Sequence, residues 1–172
     1  TVGSVTLGNG NIYIYSNDTT GTVNNSTNLA LTATSTGGNY GIYSAGTVTN
    51  SGNMDFGTGV GNVGIYSIGG GTATSTGTIT VGASDAATNQ FSIGMAAGYS
   101  TTDTGNVVNN GTINVNGDYS IGMYASGSGS TATNTSNIVL NGNNTTGIYA
   151  DNGATVNNSG NISTASGAYS NV

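Results

Sequence analysis

The chain has 172 residues, enough for one domain of ordinary size, and contains no Lys, Arg, His, Cys, Pro or Trp. Its formal net charge of −6 comes entirely from Asp. The absence of basic side chains argues against nucleic acid or an anionic membrane surface as a partner, and no apolar run approaches the length of a membrane helix.

Related nine-residue segments recur along the whole chain. They are GTVNNSTNL (21–29), GTVTNSGNM (46–54), GTATSTGTI (71–79), GNVVNNGTI (105–113), STATNTSNI (130–138) and ATVNNSGNI (154–162), with a truncated remnant at TVGSV (1–5). The repeat is roughly 25 residues long, apart from one longer step in the middle of the chain. Such a period is typical of a solenoid, in which each coil buries its inner face against the next coil.

Apolar residues fall in register within these segments. The last position holds Val5, Leu29, Met54, Ile79, Ile113, Ile138 and Ile162. Six residues earlier are Val23, Val48, Ala73, Val107, Ala132 and Val156, and two residues later are Leu7, Leu31, Phe56, Val81, Val115, Leu140 and Thr164. Because residues two apart share a face of a strand, these columns are predicted to point inward.

A third segment follows in each coil, typified by G-I-Y-S. It reads YIYS (13–16), GIYS (41–44), GIYS (64–67), GMAA (94–97), GMYA (122–125), GIYA (147–150) and GAYS (167–170). The predicted inward column is Ile14, Ile42, Ile65, Met95, Met123, Ile148 and Ala168. A further column lies two residues earlier, where a strict alternation gives it the same face: Ile12, Tyr40, Val63, Ile93, Ile121 and Thr146.

These patterns predict an all-β fold, a right-handed parallel β-helix of about seven coils with three strands per coil. Residues 1–172 form a single β-helix segment, with an enlarged coil around 82–106. No capping helix is evident at either end, so we expect a piece of a longer repeat array or a subunit that stacks end to end.

Two columns are candidates for a special role. Asn25, Asn50, Asn109, Asn134 and Asn158 recur in phase with the inward columns, with Ser75 as the exception, and are predicted to form a structural hydrogen-bond ladder. The outward column of the third segment forms a candidate Tyr face, which can stack on itself or contact a ligand such as a sugar ring. Its tyrosines are Tyr15, Tyr43, Tyr66, Tyr124, Tyr149 and Tyr169, with Ala96 between Tyr66 and Tyr124.

Weaker signals lie elsewhere. Pairs of Thr flank the first inward column, at Thr47 and Thr49, Thr72 and Thr74, and Thr131 and Thr133. Such an array is also a feature of ice-binding β-helices, although Thr fits any exposed strand surface. The enlarged coil carries Asp85 and Asp103 on its two loops, a candidate loop site. Two carboxylates make a poor cation cage, and no metal site or cofactor is predicted.

Catalysis has few candidate residues in this chain. Without His, Lys, Arg, Cys or Glu, general acid–base and nucleophilic schemes lack their usual groups. The six aspartates do not recur in one column and form no catalytic motif; they are Asp18, Asp55, Asp85, Asp103, Asp118 and Asp151. We therefore predict that the protein is not an enzyme and has no catalytic residue.

The pattern V-x-N-S-G-x-I followed by G-I-Y-S/A resembles the repeat regions of large autotransporter (type V secreted) adhesins of Gram-negative bacteria. The residues that carry it are 48–54, 156–162, 41–44, 64–67 and 147–150. The resemblance implies a rod-like passenger segment that is exported to the bacterial cell surface, outside the cell, and takes part in adhesion.

The predicted function is therefore a structural shaft or adhesive stretch of a secreted surface protein. Its partners would be further coils of the same chain, together with glycans or surface proteins. The main alternative is a self-stacking subunit of an extracellular filament, whose partners would be identical subunits. Two other readings are an ice-binding and a polysaccharide-binding β-helix. The sequence beyond residues 1 and 172 would separate shaft from filament.

Overall fold

The fold is a stack of short β-strands wound into coils. The computed structural model describes residues 4–31 and 37–172, and within these ranges it contains nineteen strands and no helix. Residues 1–3 of the predicted coil remnant lie outside the described residues. All pairings between named strands are parallel, and each strand pairs with its equivalent in the next coil. The predicted parallel β-helix with three strands per coil is confirmed.

Three sheets run along the stack, and the chain visits them in the order A, B, C. Sheet A contains β1 (Ser4–Leu7), β4 (Asn28–Leu31), β7 (Met54–Asp55), β10 (Thr78–Val81), β13 (Thr112–Val115), β16 (Asn137–Leu140) and β19 (Asn161–Thr164). Sheet B contains β2 (Ile12–Ser16), β5 (Tyr40–Ser44), β8 (Val63–Ser67), β11 (Ile93–Ala97), β14 (Ile121–Ser126) and β17 (Thr146–Asp151). Sheet C contains β3 (Thr22–Asn25), β6 (Thr47–Asn50), β9 (Thr72–Ser75), β12 (Asn106–Asn109), β15 (Thr131–Asn134) and β18 (Thr155–Asn158).

The core is one continuous column inside the coil. Each middle coil contributes a residue from every sheet, for example Ile113 from β13, Met123 from β14 and Ala132 from β15, all with no exposed surface. The inward columns read from the sequence supply this cluster. Val156 and Ile162 of the same columns are 40% and 37% exposed, because β18 and β19 are the edge strands of their sheets.

Sheet B departs from simple alternation because of its glycine column. A Cβ built on Gly41 would lie 2.5 Å from the carbonyl oxygen of Gly64 and 2.7 Å from the Met54 sulfur, so this position also faces the interior. Ile42 beside it is buried as well. Two consecutive positions therefore point inward, and only glycine fits the first of them in such close packing.

This irregularity reverses the predicted face of the further column. Ile12 is 45% exposed, and the Tyr40 ring contacts the outward Tyr43 ring in an edge-to-face arrangement with centroids 5.7 Å apart. The column that precedes the glycines thus lies outside, beside the tyrosines, rather than inside. Strict two-residue alternation was wrong at this one position of the coil.

The segment GAYS (167–170) is not a third strand. Asn171 instead occupies the position that precedes sheet B strands, since its Oδ1 accepts a hydrogen bond from the Thr145 amide at 3.0 Å. Val172 pairs with Thr145 and Gly147 through backbone hydrogen bonds. Ala168 and Tyr169 therefore lie in the preceding turn, and the predicted register of this segment was wrong because the turn is longer than the motif suggested.

Candidate binding surface on sheet B

Outward tyrosines of sheet B form a column along the coil axis. The register aligns Tyr15, Tyr43 and Tyr66 in consecutive coils, then Ala96, then Tyr124 and Tyr149. Tyr169, the last member of the predicted Tyr face, is 63% exposed but lies in a turn outside this register.

The rings stack on one another over part of this column. Tyr15 and Tyr43 are stacked with centroids 5.8 Å apart, and Tyr124 and Tyr149 are stacked at 5.9 Å with an interplanar angle of 6°. Tyr66 stacks on Tyr40 of the neighbouring outward column at 6.1 Å. The stacking is interrupted at Ala96, so that Tyr124 and Tyr149 form a separate pair.

The enlarged coil changes the environment of these rings. The Tyr66 hydroxyl reaches across the missing ring at Ala96 and donates to the Gly98 carbonyl at 3.3 Å, and Ala96 is only 1% exposed as a result. Burial raises the pKa of the Tyr66 phenol well above its ordinary value, and neighbouring Tyr43 adds to the effect. Burial also raises the pKa of Tyr43, with a further contribution from the negative charge of Asp103.

A groove of about 490 Å³ lies on the other side of Ala96. The groove is floored by the outward column Ile93, Ile121 and Thr146. Its remaining lining residues are Phe91, Tyr119, Tyr124, Tyr149 and Asp151. Phe91 and Tyr119 come from the turns before β11 and β14, and both are substantially exposed. A second hollow of about 310 Å³ shares Phe91, Ile93 and Tyr124 with it and extends towards Tyr40.

Asp151 is the one acidic side chain among the residues that line this groove. It ends β17, and the Tyr124 hydroxyl donates towards both of its carboxylate oxygens at 3.3 Å. Burial raises the pKa of Tyr124; a hydrogen bond with Ser126 opposes that rise, and the Asp151 charge adds to it. The groove is therefore an apolar, aromatic-walled surface with a carboxylate at one side.

The five asparagines of the predicted ladder lie at the ends of sheet C strands. Asn25 donates to Asn50 at 2.8 Å, Asn109 to Asn134 at 2.8 Å and Asn134 to Asn158 at 2.8 Å. Asn50 donates to the Ser75 hydroxyl at 3.0 Å, where the amide column is interrupted. Asn25, Asn50, Asn109 and Asn134 are buried, whereas Asn158 is exposed on the edge strand. This column is a network inside the coil and offers no binding surface.

A second polar column precedes sheet B and was not anticipated from the sequence. It comprises Asn11, Asn39, Asn62, Ser92, Ser120, Thr145 and Asn171. The Asn39 side-chain amide donates to Asn62 Oδ1 at 3.0 Å, and the Ser92 hydroxyl accepts from the backbone N–H of Asn62 at 3.2 Å. The signal for it was present, because a polar residue stands directly before each member of the column that begins at Ile12.

The loop aspartates Asp85 and Asp103 are not brought together. Asp85 lies before β11 and accepts from the Ala87 amide and the Thr88 hydroxyl of its own turn, both at 2.9 Å. Asp103 lies after β11 and accepts from the Gly69 amide at 2.7 Å. The two carboxylates stabilise turns at opposite ends of β11. No group of three potential metal ligands occurs in residues 4–31 and 37–172.

The Thr pairs lie on the outer surface of sheet C. Thr47 pairs in register with Thr72, and Thr49 with Thr74, but Asn106 and Val108 follow in the enlarged coil before Thr131 and Thr133. The Thr131 hydroxyl donates to Asn106 at 2.7 Å, a contact within the sheet. The array is therefore interrupted in its middle.

The sheets and this surface define a class: the chain is a parallel β-solenoid of three sheets, with an outward aromatic groove. No helix in the described part of the chain is both long and apolar enough to cross a membrane. A family model described as the BigA third pectate lyase-like domain matches residues 2–161, and the chain belongs to that family. BigA is a bacterial surface adhesin-like protein, so the family is one of surface-associated proteins. No curated protein and no solved structure matches the chain.

The family match agrees with the prediction that the chain is an adhesin-like repeat of a bacterial surface protein. Its description names a pectate lyase-like domain, which agrees with the observed solenoid.

Proposed function

We propose that this domain is an adhesive shaft segment of an autotransporter-type surface protein, and that it is not an enzyme. The solenoid serves as a rigid spacer, and the aromatic groove on sheet B makes contact with a partner outside the cell. The observation that carries this proposal is the groove, because exposed aromatic side chains and partly exposed isoleucines cluster there on an otherwise Thr-, Ser- and Asn-rich surface. Clustered apolar surface of this kind marks interaction sites.

The internal hydrogen-bond columns support the spacer role. Each amide of the ladder joins one coil to the next, so bending or separation of the coils breaks buried hydrogen bonds. Repeat proteins are held together by such nearest-neighbour interfaces. A stiff rod of this type can hold a binding surface away from the cell.

The separation of the aspartates supports a non-enzymatic role. Asp18, Asp55 and Asp85 each accept hydrogen bonds from their own turns, and Asp151 faces the groove without a second carboxylate in its lining. Paired carboxylates at the spacing that glycoside hydrolysis needs are therefore missing from this groove. We expect incubation with a panel of polysaccharides to release no new reducing ends.

An adhesion assay tests the proposal directly. Beads coated with the protein are presented to a panel of cells and matrix proteins, and the parent is compared with a Phe91→Ser, Tyr149→Ser double variant. The matched control is Tyr15→Ser, Tyr99→Ser, which removes two rings of similar exposure outside the groove of about 490 Å³. We expect bead retention to be lost only in the groove variant.

Equal retention of the parent and the groove variant would overturn the proposed role of this surface. Growth of the parent into long filaments in solution, seen by electron microscopy, would favour the self-stacking alternative.

A further inference from the structure

The Asp151 carboxylate at the groove has no Lys, Arg or His partner among the 172 residues of this sequence. Its hydrogen-bond donors are the Tyr124 hydroxyl and the Asn152 amide, the latter at 3.1 Å. The chain has no Lys, Arg or His side chain that could neutralise it. An ionised carboxylate beside apolar surface is a favourable place for an external cation, because the lower local dielectric strengthens their attraction.

The shape of the groove suits a long basic side chain. Ile93 and Ile121 form an apolar floor on which an aliphatic stem can lie while its charged end reaches the carboxylate. The rings of Tyr124 and Tyr149 stand beside the same carboxylate and can hold a guanidinium or ammonium group by cation–π contact. Arginine matches best, since its planar group both stacks on rings and binds a carboxylate with two hydrogen bonds.

Charge complementarity selects this occupant over a sugar chain. The net charge of −6, with no basic side chain, attracts basic segments and repels acidic ones. A sugar needs several hydrogen-bond partners, whereas the polar groups of this groove are three tyrosine hydroxyls, Thr146 and Asp151. The large apolar floor would leave many sugar hydroxyls without partners.

We propose that the groove binds an arginine or lysine side chain from a basic segment of a partner protein, with the stem on Ile93 and Ile121 and the charged group against Asp151. This inference rests on the proposed adhesive function and specifies the chemistry of its partner.

Binding of synthetic peptides tests the inference. The probes are a fluorescent peptide with three arginines spaced by Gly and Ser, and the same peptide with each arginine replaced by uncharged citrulline. We expect the arginine peptide to bind at least about tenfold more tightly, and its binding to weaken as salt is raised. Asp151→Asn should weaken arginine-peptide binding by about tenfold or more.

The matched control is Asp55→Asn, which makes the same change in net charge on sheet A. Its side-chain oxygen can still accept the hydrogen bond from the Gly57 amide. We expect this variant to bind the arginine peptide within about twofold of the parent, because long-range effects of one exposed charge are small.

Equal binding of the two peptides, or equal weakening by the two Asp→Asn changes, would overturn the inference. So would competition by a neutral oligosaccharide that persists in the Asp151→Asn variant, which would make the groove a glycan site. The adhesion assay distinguishes failure of this inference from failure of the proposed function. If Asp151→Asn adheres like the parent while the Phe91, Tyr149 variant does not, the adhesive function is supported and the basic partner is ruled out.

Discussion

Replacement of Asn109 by Ala tests whether the amide ladder holds the coils together. Asn109 has no exposed surface and makes three side-chain hydrogen bonds. Its Nδ2 donates to Asn134 Oδ1 at 2.8 Å and to the Asn137 carbonyl at 3.2 Å, and its Oδ1 accepts from the Gly111 amide at 3.2 Å. The substitution removes all three contacts and leaves their partners inside the coil.

The expected loss follows from these three contacts. A typical intramolecular hydrogen bond contributes about 1 kcal/mol net, and a buried group left without a partner costs about 1–3 kcal/mol. Three affected groups, of which the Asn137 carbonyl and the Gly111 amide lie in partly buried surroundings, give a loss of about 3 kcal/mol. For a protein of this size that corresponds to a fall in Tm of about 6–12 °C.

Thermal and denaturant unfolding followed by circular dichroism measure this loss. The control is Asn24→Ala, the same substitution at an exposed position of β3, which we expect to change stability by less than about 0.5 kcal/mol. Asn109→Ser should fall between the two, since Ser75 occupies the equivalent position one coil away. A loss in Asn109→Ala no larger than that in Asn24→Ala would refute the reasoning, and lost peptide binding at unchanged stability would give the column a direct role in recognition.

Further predictions concern the glycine column, the buried phenol and the groove. Gly64→Ala would place its Cβ 2.4 Å from the Gly94 carbonyl oxygen and 2.7 Å from Ile79, so we expect a loss of about 3 kcal/mol in denaturant unfolding, against a small change in Gly8→Ala, whose Cβ would meet its nearest neighbour at 3.5 Å. Because the pKa of Tyr66 is raised in the folded state, the unfolded chain loses that proton first as the pH rises. The free energy of unfolding should therefore fall above about pH 10, and less steeply in Tyr66→Phe; equal slopes in a pH series of urea titrations would contradict this. The Phe91, Tyr149 double variant should fold like the parent by circular dichroism and fail only in bead retention.

The enlarged coil shows how a local insertion shapes the surface. Ser92 stands in the polar column where Asn39 and Asn62 precede it, and its hydroxyl donates to the Ala83 carbonyl of the added loop at 2.7 Å. The shorter side chain leaves Asn62 Nδ2 buried without a hydrogen-bond partner. The same loop brings Phe91 to the groove, so the insertion that disturbs the second polar column also supplies a wall of the candidate binding surface.

The repeat by itself determined the coil, its three strands and most of its inward residues. This was possible because each coil packs on the next in residue-by-residue register, so equivalent positions carry similar residues in every repeat. Met54, Ile79 and Ile113 are one such set of aligned positions. The Asn positions were readable for the same reason. The second polar column also repeats once per coil in the sequence. It is harder to recognise there because Asn, Ser and Thr all occur at the equivalent position.

Only the tertiary structure decided which outward residues form a surface together. The close approach of the Gly94 and Gly122 backbones turns two successive residues inward in these coils, so Ile93 and Ile121 lie on the tyrosine face instead of in the core. The Asp151 carboxylate reaches the same groove because it ends β17 beside the Tyr124 hydroxyl. Sequence periodicity reports the average alternation of a strand, whereas this local departure depends on how closely one coil packs on the next.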